Sequence, residues 1–173
     1  EHTLVWKIQQ SPLVDNVYCA PGNAGMENVV PISVDQHEAL ADFAEKHSIK
    51  LTIVGPEAPL CDGIVDVFQS RGLPLLGPSQ AAARLEGSKV YAKNFMRSNE
   101  IPTAGHEAFT SHSKAADYIE KHGAPIVVKA DGLAGGKGVT VATTKDEALD
   151  AVDKSFNGAF GEAGKQGVLE ECL

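Results

Sequence analysis

Apolar residues recur along the chain in two rhythms, one of about 3.6 residues and one of two, and their alternation predicts the order of elements. Leu4, Val5 and Ile8 share one face of a helix over residues 1–10. After Ser11-Pro12, a short strand at 17–20 leads into the turn Pro21-Gly-Asn-Ala-Gly25, whose glycines and asparagine suit tight backbone geometry. A helix over 35–47 turns Leu40, Phe43 and Ala44 inward, with Asp35 as its expected N-cap. The run 50–54 is continuous and β-branched, as in a buried parallel strand, and residues 55–60 form the loop at its carboxyl end. A helix to about 70 and a strand at 73–76 follow.

The rhythm changes near residue 86. Helices at 81–85 and 89–99 are separated by Glu86-Gly87, and Pro102 lies just beyond the second. From 107 onward the pattern reads strand, helix 113–122, hairpin 126–142, helix 145–155 and a final strand from 168. Strands alternating with helices in the first part predict an α/β, doubly wound, parallel-sheet domain of Rossmann-like type. The second part predicts a small α+β subdomain built on an antiparallel hairpin. The expected division is 1–87, a helical connector at 88–104, and 105–173.

Composition narrows the function. The 43% apolar content suffices for a core. A formal charge of −8 argues against nonspecific binding to nucleic acid or anionic membrane, so an anionic ligand must be met by local groups. Cys19, Cys61 and Cys172 are odd in number and widely spaced, which indicates reduced thiols rather than zinc or a disulfide framework. No apolar run approaches the length of a membrane span and no signal peptide is visible, so a cytoplasmic setting is expected.

The chemistry concentrates in the hairpin. The run Pro125-Ile-Val-Val-Lys129 empties into a stretch holding Gly132, Gly135, Gly136, Lys137 and Gly138, then re-enters a β-rich run at Val139. A Walker A loop would need Ser or Thr after Gly-Lys and a helix beyond; here Gly138 and a strand follow. A dinucleotide-binding turn fails for the same reason. What remains is a mobile loop laid over phosphates. Glycine allows positive φ and close backbone approach, and successive N–H groups make an anion nest. An ordinary hairpin turn with solvated lysines is the plainer alternative, but it needs fewer glycines.

The stretches Glu1-His2, Trp6-Lys7, Ala20-Pro-Gly-Asn-Ala-Gly25, Val54-Gly-Pro-Glu-Ala-Pro-Leu60, Leu85-Glu-Gly-Ser-Lys89, Ala92-Lys93, Ile101-Pro-Thr103, Val128-Lys-Ala-Asp-Gly-Leu-Ala134 and Leu169-Glu-Glu171 stand in collinear order. In them the chain resembles the phosphoribosylamine–glycine ligase family, also called glycinamide ribonucleotide synthetases, of the ATP-grasp superfamily. The resemblance implies a pre-ATP-grasp domain followed by an ATP-grasp subdomain. It also implies the ATP-dependent joining of glycine to 5-phosphoribosylamine through a glycyl phosphate in purine synthesis. Two departures stand out: Gly135 replaces a usual alanine, and Met26 replaces a usual threonine.

By the same resemblance, Lys89, Lys129, Gly132, Gly135, Gly136, Lys137, Gly138, Glu170, Glu171 and Cys172 meet ATP, the last three on the side of adenine. Gly55, Pro56 and Glu57 fall on the phosphoribosylamine side, where Glu57 either meets ribose hydroxyls or fixes its own Pro-flanked turn; Gly22, Asn23 and Gly25 are substrate-side candidates or a rigid turn only, and His2 lies beside the sugar-phosphate turn. No catalytic side chain and no metal ligand is expected within these residues. Mg²⁺ or Mn²⁺ would accompany ATP on ligands outside them. The family's first strand and its metal ligands have no counterpart here, so the segment reads as part of a longer protein that does not complete the reaction alone. Fusion to downstream purine-pathway domains is compatible with the family pattern. Another ATP-grasp carboxylate–amine ligase, or a noncatalytic ATP-binding module, remains open on sequence alone.

Overall fold

The structure is a computed structural model that describes residues 1–173, apart from the side chain of Glu162. The chain divides into two compact units, Glu1–Ala83 and Arg84–Leu173.

The first unit is α/β. Helix α1 (His2–Gln9) is followed by an irregular stretch in which Cys19 and Val29 form a single parallel bridge. Helix α2 (His37–Lys46), strand β1 (Thr52–Ile53), helices α3 (Glu57–Cys61) and α4 (Ile64–Ser70), and strand β2 (Leu75–Leu76) complete its frame. β1 and β2 pair in parallel, Thr52 opposite Leu75 and Ile53 opposite Leu76. Ala41 and Ala44 of α2 close on Ile64, Val65 and Phe68 of α4, with Val54, Leu60, Leu73 and Leu75 packed against them. Outside this core, Arg71 at the end of α4 reaches back to Glu38, Asp42 and Glu45 at 3.1, 2.7 and 2.7 Å. Those three acids lie along one stripe of α2, so a single guanidinium ties the two helices together.

Several expectations are corrected here. The strand at 17–20 is only the bridge at Cys19. The strand at 50–54 shortens to Thr52–Ile53, and it is not buried: Leu51 and Ile53 are about half exposed. Its parallel pairing holds, but core residues cover the pair from one side only, so a β-branched run did not guarantee burial. Asp35 does not cap α2, whose N-cap is Gln36. Its carboxylate is held instead by the Ser33 side chain and its own backbone, which keep its pKa below the usual value. Residues 57–60, expected as loop, form the first turns of α3.

The second unit opens with helices α5 (Gln80–Gly87) and α6 (Lys89–Ser98), α5 beginning just before the division between units. It continues through strand β3 (His106–Phe109), helix α7 (His112–His122), strands β4 (Ile126–Ala130) and β5 (Val139–Ala142), helix α8 (Lys145–Lys154) and strand β6 (Gly167–Glu171). The sheet runs β3-β6-β4-β5, antiparallel throughout. Period-two patterning explains its two faces. Ile126 and Val128 of β4, Ala142 and Leu169 point toward Ala115 and Ile119 of α7 and Ala148, Ala151 and Val152 of α8. That layer is the core. Helix α8 starts on a capping box: Thr144 accepts from the Glu147 amide, and the Glu147 carboxylate accepts from the Thr144 amide.

The opposite face carries Lys129 and Val127 from β4, Val168 and Glu170 from β6, His106 from β3, and Val139 and Val141 from β5, as the pairing register requires. Val168 and Glu170 are buried, whereas Val139 and Val141 are about half exposed. This second face holds the candidate site. Among the described residues no helix is long and apolar enough to cross a membrane.

Candidate functional site

The site lies within the second unit, where three charged side chains converge on the non-core face of the sheet. Lys129, next to last in β4, donates to Glu170 Oε2 at 2.8 Å. Lys93 of α6 reaches the same oxygen at 2.9 Å. Lys93 also donates to Thr103 Oγ1 at 2.7 Å and approaches the Ala104 carbonyl at 3.5 Å. The side chains of Lys93 and Glu170 are 9% and 5% exposed, that of Lys129 26%. Two ammonium groups thus share one oxygen of a buried carboxylate. Burial pushes the Glu170 carboxyl up, but hydrogen bonds from Lys129 and Lys93, with their charges, outweigh it and hold the pKa below the usual range.

The other oxygen is different. Glu170 Oε1 is buried and has no hydrogen-bond partner among the described residues, and neither has Nε2 of His106, directly across the β3–β6 ladder. Buried polar atoms are ordinarily satisfied, so an unmatched acceptor on the face of Lys129 marks a place suited to a donor from outside.

The hairpin loop stands beside this cluster. Lys129 pairs with Val139, and the Ala130 amide donates to the Gly138 carbonyl at 2.8 Å, closing the base of the loop. Gly132, Gly135 and Gly136 take positive φ of 86°, 57° and 77°, the conformation that led the sequence to glycine there. Around Gly135 and Gly136 a Cβ would meet nothing, so the tip is open, and Lys137 is exposed on it. Gly138 is buried at the foot, where a Cβ would lie 2.7 Å from that of Ala134.

One edge of the loop is fixed. Asp131 accepts from the Ser88 hydroxyl at 3.1 Å and from the Val90 amide at 3.0 Å, so the loop's first acid caps the start of α6. Lys89, in the first turn of that helix, donates to the Gly132 carbonyl at 2.8 Å. The structure therefore brings Lys89, Lys129, Gly132 and Glu170 into one neighbourhood on adjacent elements. Lys93 was missed by sequence reasoning as a site residue. The available signal was its spacing of four from Lys89, which puts both on one face of α6.

The remaining expected residues are spread more widely. Glu171 points to the face opposite Glu170, is exposed, and lies against Gly105; Cys172 is exposed beyond the strand. In the first unit, Gly55 and Pro56 are exposed ahead of α3, and Glu57 is exposed in its first turn. Gly22 takes a φ of 72° after a cis Ala20-Pro21 bond, and Asn23 Oδ1 accepts from the Gly25 amide at 3.0 Å. The His2 ring packs on Gly25, where an added Cβ would come within 2.9 Å of it. His2, Gly25 and Met26 share a cavity of about 330 Å³ with Val5, Gln9 and Glu27; residues 55–57 do not line it. Met26 thus occupies the wall of that cavity.

The residues of the second unit fit a nucleotide polyphosphate: two lysines, an open loop of backbone N–H groups and an unmatched buried acceptor. Among the described residues no group of three or more His, Cys, Asp or Glu side chains could hold a metal ion.

Comparison with known proteins gives the family. Residues 1–86 match the family model for the phosphoribosylglycinamide synthetase N domain, and residues 87–173 match that for its ATP-grasp (A) domain. The chain is 53% identical over 177 residues to a phosphoribosylamine–glycine ligase of Halalkalibacterium halodurans, and 55% identical over 180 residues to one of Pseudomonas putida. All of this chain is covered in both cases, and it spans 41% of the length of each relative. Among solved structures, a phosphoribosylamine–glycine ligase of Thermotoga maritima superposes with a TM-score of 0.67 at 29% identity, over 98% of this chain and 40% of that one. The N5-carboxyaminoimidazole ribonucleotide synthetase of Thermus thermophilus gives 0.62 at 21% identity, covering 86% of this chain and 37% of that one, a likeness of fold. The chain belongs to the phosphoribosylglycinamide synthetase family, with an N domain through residue 86 and an ATP-grasp domain from residue 87.

Proposed function

We propose that this chain supplies the nucleotide cradle and part of the substrate side of a phosphoribosylamine–glycine ligase. The reaction joins glycine to 5-phosphoribosylamine at the expense of ATP. A glycine carboxylate oxygen attacks the γ-phosphorus and ADP departs; the sugar's amine then attacks the acyl carbon and phosphate departs, leaving the amide of glycinamide ribonucleotide. Activation is required because an amine cannot expel oxide from a carboxylate at neutral pH. Mg²⁺ or Mn²⁺ would neutralise phosphate charge when bound, on ligands outside the described clusters.

The chain's own part is positioning and charge neutralisation. Lys129 and Lys89 meet phosphate oxygens, and the backbone N–H groups of residues 132–138 close over them. Glu170 Oε1 accepts from the base. In this reading Glu171 and Cys172 border the base through their backbone. Residues 55–57 and the turn at Gly22, Asn23 and Gly25 face the sugar phosphate. Residues 1–87 then serve the substrate, 88–104 connect and lend Lys89 to the phosphates, and 105–173 hold the rest of the nucleotide. A cytoplasmic setting suits such a pathway enzyme.

One observation carries the proposal. Lys129, the more exposed lysine of the pair, stands at the foot of an open glycine loop whose positive-φ residues leave backbone N–H groups available. Calorimetric titration of Mg-ATP into this chain tests it. Lys129→Ala should weaken binding about tenfold or more, the scale for a charged hydrogen bond to phosphate. An unchanged dissociation constant would remove the lysine, and with it the cradle, from the account.

A further inference from the structure

We propose that Lys93 is a positioning residue: it is the standing counter-ion of Glu170, and it releases Lys129 to exchange that carboxylate for a nucleotide phosphate. The inference deepens the nucleotide-binding reading and rests on it.

The asymmetry between the two lysines carries the argument. An ammonium has three hydrogens to donate. Lys93 faces three acceptors, Glu170 Oε2, Thr103 Oγ1 and the Ala104 carbonyl, and its side chain is 9% exposed. It has nowhere else to go. Lys129 has Glu170 Oε2 as its one hydrogen-bond partner among the described residues, and its side chain is 26% exposed. Two of its hydrogens are free to meet a ligand.

Glu170 could not stand alone. Its side chain is 5% exposed on β6, one of the two inner strands, and an unpaired carboxylate so placed carries a heavy desolvation cost. Were Lys129 its sole partner, a phosphate drawing Lys129 away would strand that charge. Lys93 removes the penalty, because one full ion pair persists after Lys129 leaves. Helix α6 is also registered against the loop, through Asp131 accepting from Val90 and Lys89 donating to Gly132, so the counter-ion and the phosphate loop are placed by the same element. In the absence of nucleotide the Lys129–Glu170 contact parks the mobile lysine where it is needed.

The test is a double-mutant cycle read by calorimetry with ADP as ligand. Lys93→Met in the wild-type background should weaken ADP binding about tenfold or more, since Lys129 is then locked on Glu170. In a Glu170→Gln background, which has no carboxylate to lock onto, the same substitution should change affinity by less than about threefold. Equal losses in both backgrounds, or no loss in the first, would overturn the role. The unfolding midpoint of each variant is measured alongside: a merely structural lysine would weaken ADP binding only in step with lost folding, whereas the positioning role weakens it at temperatures where the variant is fully folded. Should Lys93→Met fail to fold, the ¹⁵N–¹H ammonium signals of the wild-type chain decide. Addition of ADP should move the Lys129 signal and leave that of Lys93 in place; a Lys93 signal that moves as far overturns the proposal. ADP that fails to bind the wild-type chain at all would overturn the nucleotide reading itself, and this proposal with it.

Discussion

Replacing Glu170 by Gln should cost far more stability than replacing Lys129 by Met, although both abolish the same ion pair, 2.8 Å long in the wild type. Glu170→Gln leaves the Lys93 ammonium, 9% exposed, without a counter-charge. Breaking a buried pair from one side costs about 3–5 kcal/mol, because the surviving charge stays desolvated. Lys129→Met leaves Glu170 on Lys93, and the departing lysine was a quarter exposed, so its loss belongs near the about 1 kcal/mol of a solvent-screened pair. The gap between the two variants is then roughly 2–4 kcal/mol, a substantial share of the about 5–15 kcal/mol that stabilises an ordinary domain.

The assay must report the second unit alone. Trp6, the single tryptophan, is in the first unit and 57% exposed, so its fluorescence is unsuitable. Amide hydrogen exchange at Val128 and Leu169, paired across β4 and β6, reads the correct unit. Protection there should fall by about a hundredfold to several thousandfold in Glu170→Gln, and by about fivefold in Lys129→Met. A double substitution, Lys93→Met with Glu170→Leu, should recover much of the loss, since an apolar pair of similar volume replaces a buried ion pair at little cost. Equal losses in the two single variants would refute the division between a fixed and a mobile lysine.

Three further outcomes follow from the geometry. Gly164→Ala would drive a Cβ into the Ser155 carbonyl oxygen, a backbone clash, so a loss of about 1–3 kcal/mol or more is expected in thermal unfolding, whereas Gly55→Ala, with open space around it, should be neutral. Thr144→Ala removes one half of the capping box on α8 and should cost about 1 kcal/mol by the same measurement. On the acid side, Glu170 and Glu147 both have pKa values held below their ordinary ones, Glu147 by hydrogen bonds from Thr143 and Thr144. Depressed carboxyls bind fewer protons folded than unfolded, so their stabilisation is complete above the unfolded value of about 4.3 and is lost as pH falls through the folded values. Unfolding midpoints measured from pH 6 to pH 3 should decline less steeply in Glu170→Gln than in wild type; identical slopes would deny Glu170 its place in that loss.

The second unit was the more legible because its signals are local. The alternation over 126–142 fixes which residues of β4 and β5 point inward, and the intervening glycines fall where positive φ is needed. The first unit was less so. A two-residue β1 draws its definition from β2 across the fold, and how far a β-branched run is buried depends on what covers it, which no local pattern encodes. Asp35 shows the same limit at one residue: Ser33 competes for it, and the helix starts two positions later.

Lys93 was hidden for a more general reason. In sequence it is one of two lysines on a polar-looking helix, and composition rules place lysine in water. Its burial follows from Glu170, 77 positions onward, arriving on β6 with a carboxylate that needs a partner. Glu170 itself stands in an apolar run, Val168-Leu-Glu, at a period-two position matching the buried Val168. An acid at a buried strand position requires a cation from elsewhere. Lys129 could be inferred as that cation, since β4 pairs with β6. A single partner, however, could not both neutralise a permanently buried acid and be free for a phosphate. Two roles demand two lysines, and that requirement is where a sequence argument can reach Lys93.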